Sequence, residues 1–161
     1  MKMCNSEAMK AVKELEEKRK NIIYVENTQS RVSYKEGEEM LITEYDYLTT
    51  RSALAEIDGK IRKIKHALAI CNCTAVVDDF CITIGEALVY LAQLNAEYRQ
   101  INALGANCKL SRRITANGVL EYTECLYDPD EATRQAEALH SKICKLQVAI
   151  DRANLTNYIE V

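Results

Sequence analysis

The stretch "MLITEYDYLTTRSALAEIDGKIRKIKHALAIC", Met40–Cys71, decides the fold because its apolar residues recur three and four positions apart. One set falls seven residues apart and a second set interleaves with it. The two sets are Met40, Tyr47, Leu54, Ile61 and Leu68, then Ile57, Ile64 and Cys71. Such a repeat is typical of a coiled-coil helix, with Thr43 and Thr50 in its polar slots. It predicts a helix over residues 39–72, about 50 Å long.

A second heptad segment follows and predicts a helix over residues 83–104. Its two apolar sets are Ile84, Leu91 and Tyr98, then Ala87, Leu94 and Ile101. Thr83 and Glu86 have the spacing of a capping box, and Gly105 suits a left-handed helix end. Because about ten residues join the two helices, we expect them to fold back as an antiparallel coiled-coil arm. The expected core of this arm is Leu54, Ile61, Leu68, Leu91, Tyr98 and Ile101.

Two further helices are predicted, over residues 6–26 and 129–153. In the first, Val12, Leu15 and Ile22 share a face that Arg19 interrupts. The second begins at "DPDEA", where Asp128 can cap, and has alternating spacings of four and three. Its apolar stripe is Ala132, Ala136, Leu139, Ile143, Leu146, Ile150 and Ala153.

The segment between the third and fourth helices predicts a β-hairpin over residues 112–123. Asn117-Gly118 favours a two-residue turn with positive φ at both positions, and β-prone residues flank it. Two strands alone are marginal in water, so the hairpin needs a partner. The predicted fold class is mainly α, with four helices, a long antiparallel coiled-coil hairpin and a small β-hairpin, in a single domain over residues 1–161.

Composition limits the classes of function. The net charge of −3 gives no general attraction to nucleic acid or anionic lipid, and no segment approaches the ~20 apolar residues of a membrane span. The N-terminal segment has charges every few residues and no signal-peptide core. We therefore expect a cytoplasmic protein without membrane contact, whose seven cysteines remain reduced.

Metal binding is the first alternative considered. Cys71, Cys73 and Cys81 lie close in sequence, but a structural zinc site needs four ligands, and Cys71 belongs to the apolar stripe. Glu137 and His140 form one Glu-x-x-His motif, whereas a di-iron bundle needs two. We predict no metal and no cofactor, and these five residues are the candidate ligands if metal is found.

Catalysis and nucleic-acid binding are also disfavoured. The sequence contains no nucleophile elbow, phosphate-binding loop or zinc-protease signature, so we predict a protein that is not an enzyme and has no small-molecule substrate. Lys109, Arg112 and Arg113 form a small basic patch near Tyr122 and Tyr127. The acidic net charge makes nucleic-acid binding the weaker interpretation, although a nucleic-acid-binding helical arm remains an alternative.

The order of several short motifs resembles an uncharacterised bacterial family, a domain of unknown function whose members are sometimes labelled septicolysin. The motifs are "EGEE" at Glu36–Glu39, "NCT" at Asn72–Thr74, "ITIGEAL" at Ile82–Leu88, "SRRI" at Ser111–Ile114 and "IDRANLT" at Ile150–Thr156. The resemblance covers most of the chain and implies a helical, coiled-coil-rich, self-associating protein without established catalytic residues. The chain departs from the family pattern at Leu155, where relatives carry Trp, and at Cys73, which lies outside that pattern.

The leading hypothesis is therefore a non-enzymatic, self-associating protein that acts through protein–protein contacts. A narrow heptad seam on an elongated arm tends to need partners to be fully buried, and exposed hairpin edges offer a second contact. We expect a homo-oligomer.

Overall fold

The structure is a computed structural model that describes residues 2–40 and 43–161, and helices dominate it. The helices are α1 Asn5–Gln29, α2 Tyr47–Thr74, α3 Ile84–Gly105 and α4 Pro129–Thr156. Short strands form antiparallel pairs: β1 Lys2–Cys4 with β6 Tyr158–Glu160, β2 Val76–Val77 with β3 Ile82–Thr83, and β4 Leu110–Ile114 with β5 Leu120–Glu124. The mainly α class and the β-hairpin between the third and fourth helices are confirmed.

The contacts divide the chain into two compact units. The first takes the chain up to Thr74 together with Asn154–Val161, and the second is Ala75–Ala153. Most of α4 belongs to the second unit and its last residues to the first. The prediction of a single domain stays a prediction.

In the first unit, α1 and α2 form an antiparallel pair around a small aliphatic core. Ala8, Val12 and Ile64 are buried in this core. Parts of the heptad stripe of α2 lie against it, namely Ile61, Leu68 and Cys71. Residues later in α1 contact residues earlier in α2, which shows that the two helices are antiparallel.

Ion pairs follow the same antiparallel order along this helix pair. Glu16 accepts from Lys65 at 2.6 Å, Arg19 Nε donates to Asp58 at 2.7 Å, and Glu26 pairs with Arg51. Arg19, the charge that interrupts the apolar face of the first helix, therefore has its counter-charge on α2. Most of these side chains are solvent-exposed, so the pairs add little to stability, but their order agrees with the antiparallel register of the two helices.

Strands close the first unit at its chain ends. β1 pairs with β6 in the register Lys2↔Glu160, Met3↔Ile159 and Cys4↔Tyr158. Met3 and Ile159 are buried in the same core as α1 and α2. Three-residue strands have no detectable periodicity, so the sequence does not predict this pair.

In the second unit, α3 and α4 pack around a separate core. Ile84, Ala87 and Leu94 of α3 are buried against residues of α4. The residues of α4 in this core are Leu146, Ala149, Ile150 and Ala153. The predicted stripe of the fourth helix is confirmed, since its seven members are all buried or half-buried.

The predicted partners of the two heptad helices are wrong. Within the first unit α2 packs on α1, and within the second unit α3 packs on α4. Of the expected arm core, Ile61 and Leu68 face the core of the first unit, whereas Leu91 faces that of the second. A heptad stripe identifies the face of a helix that is buried, but it carries no information about which helix covers it.

The predicted start of the second helix is also wrong, because α2 begins at Tyr47 and not at residue 39. The Asp46 carboxylate accepts from the backbone N–H of Leu48 at 2.9 Å and from the hydroxyl of Thr49 at 2.7 Å. The bond from Leu48 satisfies an N–H group that a helix leaves unpaired at its start, and the hydrogen bonds from Thr49 and Leu48 lower the pKa of Asp46. The predicted heptad position Met40 lies before this cap, and residues 41–42 of the predicted helix lie outside the described residues.

Helix α3 begins and ends at the predicted places, but Gly105 has a different reason for being glycine. The capping box is confirmed, with Glu86 N–H donating to Thr83 Oγ1 at 3.2 Å and Thr83 N–H to Glu86 at 2.9 Å. Gly105 is the last helical residue, and Ala106 after it keeps a right-handed backbone at φ −76°. A side chain at Gly105 would collide with Thr133 of α4, so the glycine permits close approach of two helices.

Candidate interaction surface

The candidate metal ligands do not form a site. Cys71 is half-buried on α2, Cys73 is exposed near its end, and Cys81 is exposed after β2. The described residues contain no group of three or more His, Cys, Asp or Glu side chains that could hold a metal ion. The seven cysteines are free thiols.

Cys81 lies in the turn between β2 and β3, with a left-handed backbone at φ +53°. Its N–H donates to the Val77 carbonyl at 2.9 Å, and its Sγ lies 3.6 Å from the Asp78 carbonyl oxygen. The segment that opens with Cys71 is therefore a helix end, a tight β-turn and a helix start. The two helix ends agree with the predicted connection of about ten residues, and the two-residue strands between them were not predicted.

The His140 ring contacts an aromatic ring and a thiol, and these contacts account for its position on α4. Its ring centroid lies 5.6 Å from that of Tyr98, and its Nδ1 lies 3.9 Å from Sγ of Cys144 one turn further along α4. Glu137 is exposed on the same helix. Beside Cys144 runs an open groove of about 460 Å³, where Arg152 lies 3.5 Å from Asp79.

The hairpin of β4 and β5 has a regular antiparallel register and an unpredicted turn. The pairs are Leu110↔Glu124, Ser111↔Thr123, Arg112↔Tyr122, Arg113↔Glu121 and Ile114↔Leu120. Thr115 N–H donates to the Val119 carbonyl at 2.8 Å, and Gly118 N–H to the Thr115 carbonyl at 2.9 Å. Of the turn residues only Gly118 has positive φ, at +77°. The predicted two-residue turn is therefore wrong: three residues form the loop, with glycine in the left-handed position after a tight turn.

The register gives the hairpin two different faces. Because paired residues share a face and neighbours along a strand alternate, one face carries most of the apolar side chains. We define this apolar face as Leu110, Arg112, Ile114, Leu120, Tyr122 and Glu124. The opposite, polar face is Ser111, Arg113, Glu121 and Thr123, and on it Arg113 Nε donates to Glu121 at 2.6 Å.

The apolar face is open to solvent. All ten residues of the two strands are exposed, including Ile114 at 73% and Tyr122 at 60%. Aliphatic side chains clustered on a two-stranded sheet are unusual without a cover, because such a sheet has little stability of its own in water. This surface is the strongest candidate for a contact with another protein.

Hydrogen bonds at the base fix the hairpin to the rest of the second unit. The Tyr127 hydroxyl donates to the Leu104 carbonyl at 3.0 Å and accepts from Asn107 Nδ2 at 2.6 Å. Cys125 N–H donates to the Lys109 carbonyl at 2.9 Å and closes the ladder of the hairpin at this end. The strands therefore project from a defined anchor at the end of α3.

The predicted basic patch is split by this geometry. Arg113 lies on the polar face and is already paired with Glu121, whereas Arg112 lies on the apolar face across from Tyr122. Tyr127 is held by its hydrogen bonds at the base. The patch thus offers few uncompensated cations for a phosphate backbone, whose binding grows with their number.

Comparison with known proteins identifies the fold but no activity. No family model matches the chain, and no curated protein matches it. A solved structure, described as that of a functionally unknown conserved protein from Corynebacterium diphtheriae, is similar to it with a TM-score of 0.72. The two are 14% identical, and the match covers 99% of this chain and 100% of the other. Within the described residues, no helix is both long and apolar enough to cross a bilayer.

Proposed function

We propose that this chain is a non-enzymatic, self-associating protein of the reducing cytoplasm that acts through protein–protein contacts. The observation that carries the proposal is the fully exposed β4–β5 hairpin with its apolar face. Contact with a second copy through this hairpin would remove part of its aliphatic surface from water, at about 25 cal/mol per Å². We also propose, from the short motifs alone, that the chain is related to the uncharacterised family sometimes labelled septicolysin.

The geometry favours this function over the two alternatives. Metal binding lacks a cluster of ligands in the described part of the chain, and the basic patch is divided between two faces. Free thiols at all seven cysteines agree with a reducing compartment. The hairpin, by contrast, presents exposed aliphatic side chains that a protein partner would remove from water.

A charge on the apolar face tests the proposal. Leu120→Asp places a carboxylate among the aliphatic side chains of this face, and we expect it to shift the protein to monomers. Ser111→Asp is the matched control, because it adds the same charge to the polar face of the same hairpin. Light scattering coupled to size-exclusion chromatography reports the molar mass of each variant.

Two outcomes would contradict self-association through this face. One is a monomeric parent chain at every concentration, and the other is the same oligomer in Leu120→Asp and the parent. More than about a tenth of an equivalent of tightly bound metal in the purified parent would favour the metal-binding alternative instead. Salt-sensitive retention on heparin would favour nucleic-acid binding.

A further inference from the structure

The outer edges of the β4–β5 hairpin carry a specific pattern of unused backbone groups. Thr115 with Val119 and Lys109 with Cys125 are hydrogen-bonded pairs at the two ends of the ladder. In an antiparallel ladder, hydrogen-bonded and non-hydrogen-bonded pairs alternate. The N–H and C=O groups of Arg112 and Tyr122 therefore point away from the hairpin, as do those of the other residues of the apolar face.

We propose that two copies of this chain join through β5, which pairs antiparallel with β5 of the second copy in a register centred on Tyr122. The result is a continuous four-stranded sheet in the order β4, β5, β5, β4. This inference rests on the proposed self-association and specifies its contact. Strand addition at an exposed edge is a common mode of recognition, because main-chain hydrogen bonds are already oriented there.

The sequence of β5, Leu-Glu-Tyr-Thr-Glu, can pair with its own reverse without placing like charges directly opposite each other. In the proposed register Tyr122 faces Tyr122 of the second copy, and Leu120 faces Glu124 of the second copy. Glu121 faces Thr123 of the second copy, whose hydroxyl can donate to the carboxylate. The central pair is aromatic, which is favourable between neighbouring strands, and the diagonal pair of Glu121 with Glu121 of the second copy is compensated because each pairs with Arg113 of its own chain. Centring the pair one residue earlier would place Glu121 opposite its own copy.

The other edge does not pair with itself in this way. The register that aligns all five residues of β4 with β4 of a second copy places Arg112 directly opposite Arg112. Like charges facing each other across neighbouring strands are destabilising. Only Glu124, diagonal to Arg112 on the apolar face, could offset this repulsion.

A third arrangement pairs the basic β4 of one copy with the acidic β5 of the next. Its charges are complementary, but its contact is head-to-tail and leaves a free edge at each end. Such a contact produces open chains unless a ring closes, whereas the β5–β5 contact is two-fold and self-limiting. Closed two-fold dimers are the commonest form of soluble oligomer.

Proline variants distinguish the two edges without disturbing the hairpin. Proline removes one backbone N–H, and it is tolerated at an edge position whose N–H faces solvent. Tyr122→Pro removes an outward N–H of β5, and Arg112→Pro removes the corresponding outward N–H of β4. Tyr122→Ala separates loss of the ring from loss of the N–H. A circular-dichroism spectrum and melt verify that each variant is folded.

We expect Tyr122→Pro to weaken dimerisation about tenfold or more, because the two-fold axis removes two hydrogen bonds at once. Arg112→Pro should dimerise as well as the parent, and Tyr122→Ala should be intermediate. The measurement is the dimer dissociation constant from sedimentation equilibrium of the full chain.

Each other result would overturn the inference. Loss of association only in Arg112→Pro would assign the contact to β4, and loss in both proline variants would assign it to head-to-tail pairing. An oligomeric parent that neither proline affects would leave self-association intact and reject edge pairing. A monomeric parent would instead reject the proposed function from which the inference starts.

Discussion

The close approach of α3 and α4 predicts that one substitution, glycine to alanine, has opposite effects at two helical positions. At Gly105 an added Cβ would lie 2.6 Å from Oγ1 of Thr133 and 3.1 Å from its backbone nitrogen. At Gly59, within α2, the nearest atom would be Nη2 of Arg62 at 4.0 Å. Both residues are helical, so only the surroundings of the new methyl group differ.

The expected magnitudes follow from these distances. Replacing a helical glycine by alanine contributes about 1 kcal/mol, which Gly59→Ala should gain because its methyl group meets open space. Gly105→Ala has at most the same gain, and overpacking of this kind costs about 1–3 kcal/mol. The net effect at Gly105 is a loss of about 1 kcal/mol, which separates the two variants by about 2 kcal/mol.

Urea unfolding followed by far-ultraviolet circular dichroism measures both free energies of unfolding. Thr133→Ala in the Gly105→Ala background removes the hydroxyl and should recover part of the loss, because the backbone nitrogen of residue 133 remains close. Thr133→Ala alone measures the cost of losing the hydrogen bond to the Pro129 carbonyl, 3.0 Å long. A Gly105→Ala protein as stabilised as Gly59→Ala would refute the packing of the end of α3 against the start of α4.

Further predictions concern the second unit. Leu146→Ala should lower the free energy of unfolding by about 2–5 kcal/mol because Leu146 is fully buried, whereas Val148→Ala, on the exposed side of the same helix, should change it by less than about 0.5 kcal/mol; equal urea midpoints would contradict this burial. Glu86→Gln should destabilise the protein most above pH 4.5, since hydrogen bonds from Thr83 lower the pKa of Glu86 below that ordinary value. As pH falls through the lowered pKa, the parent loses this stabilisation, so the melting temperatures of the parent and of Glu86→Gln should converge. A difference in melting temperature that grows in acid would contradict the lowered pKa. Cys81→Gly should raise stability by about 0.5–1 kcal/mol because a left-handed backbone is unfavourable for residues with a side chain, and a lower melting temperature would reject strain at this turn.

The elements of this fold that the sequence predicts are those with local signals. The capping box of Thr83 and Glu86, the apolar stripe of α4 and the position of the β-hairpin follow from spacing alone. Spacing alone does not predict which helix packs on α2, because any complementary helix can cover an apolar seam. The ion pair between Arg19 and Asp58 carried the missing information, although charge complementarity between distant segments is recognisable only once the two are aligned.

The interaction surface was predictable in position but not in orientation. The hairpin could be expected from β-prone residues around Asn117-Gly118, and its need for a partner from its small size. Which side chains share a face depends on the register, and the register depends on whether the turn has two or three residues. Of the residues in this turn only Gly118 takes the left-handed conformation, so the loop gains Ala116 and its closing pair becomes Thr115 with Val119.

The molar mass of the unmodified chain across a concentration series tests the central claim most directly. The chain has a mass of 18.2 kDa, so self-association predicts a sedimentation-equilibrium mass that rises with concentration toward twice that value and levels off there. A mass that stays at 18.2 kDa over the whole series would contradict self-association, and the exposed apolar face of the hairpin would then need another cover.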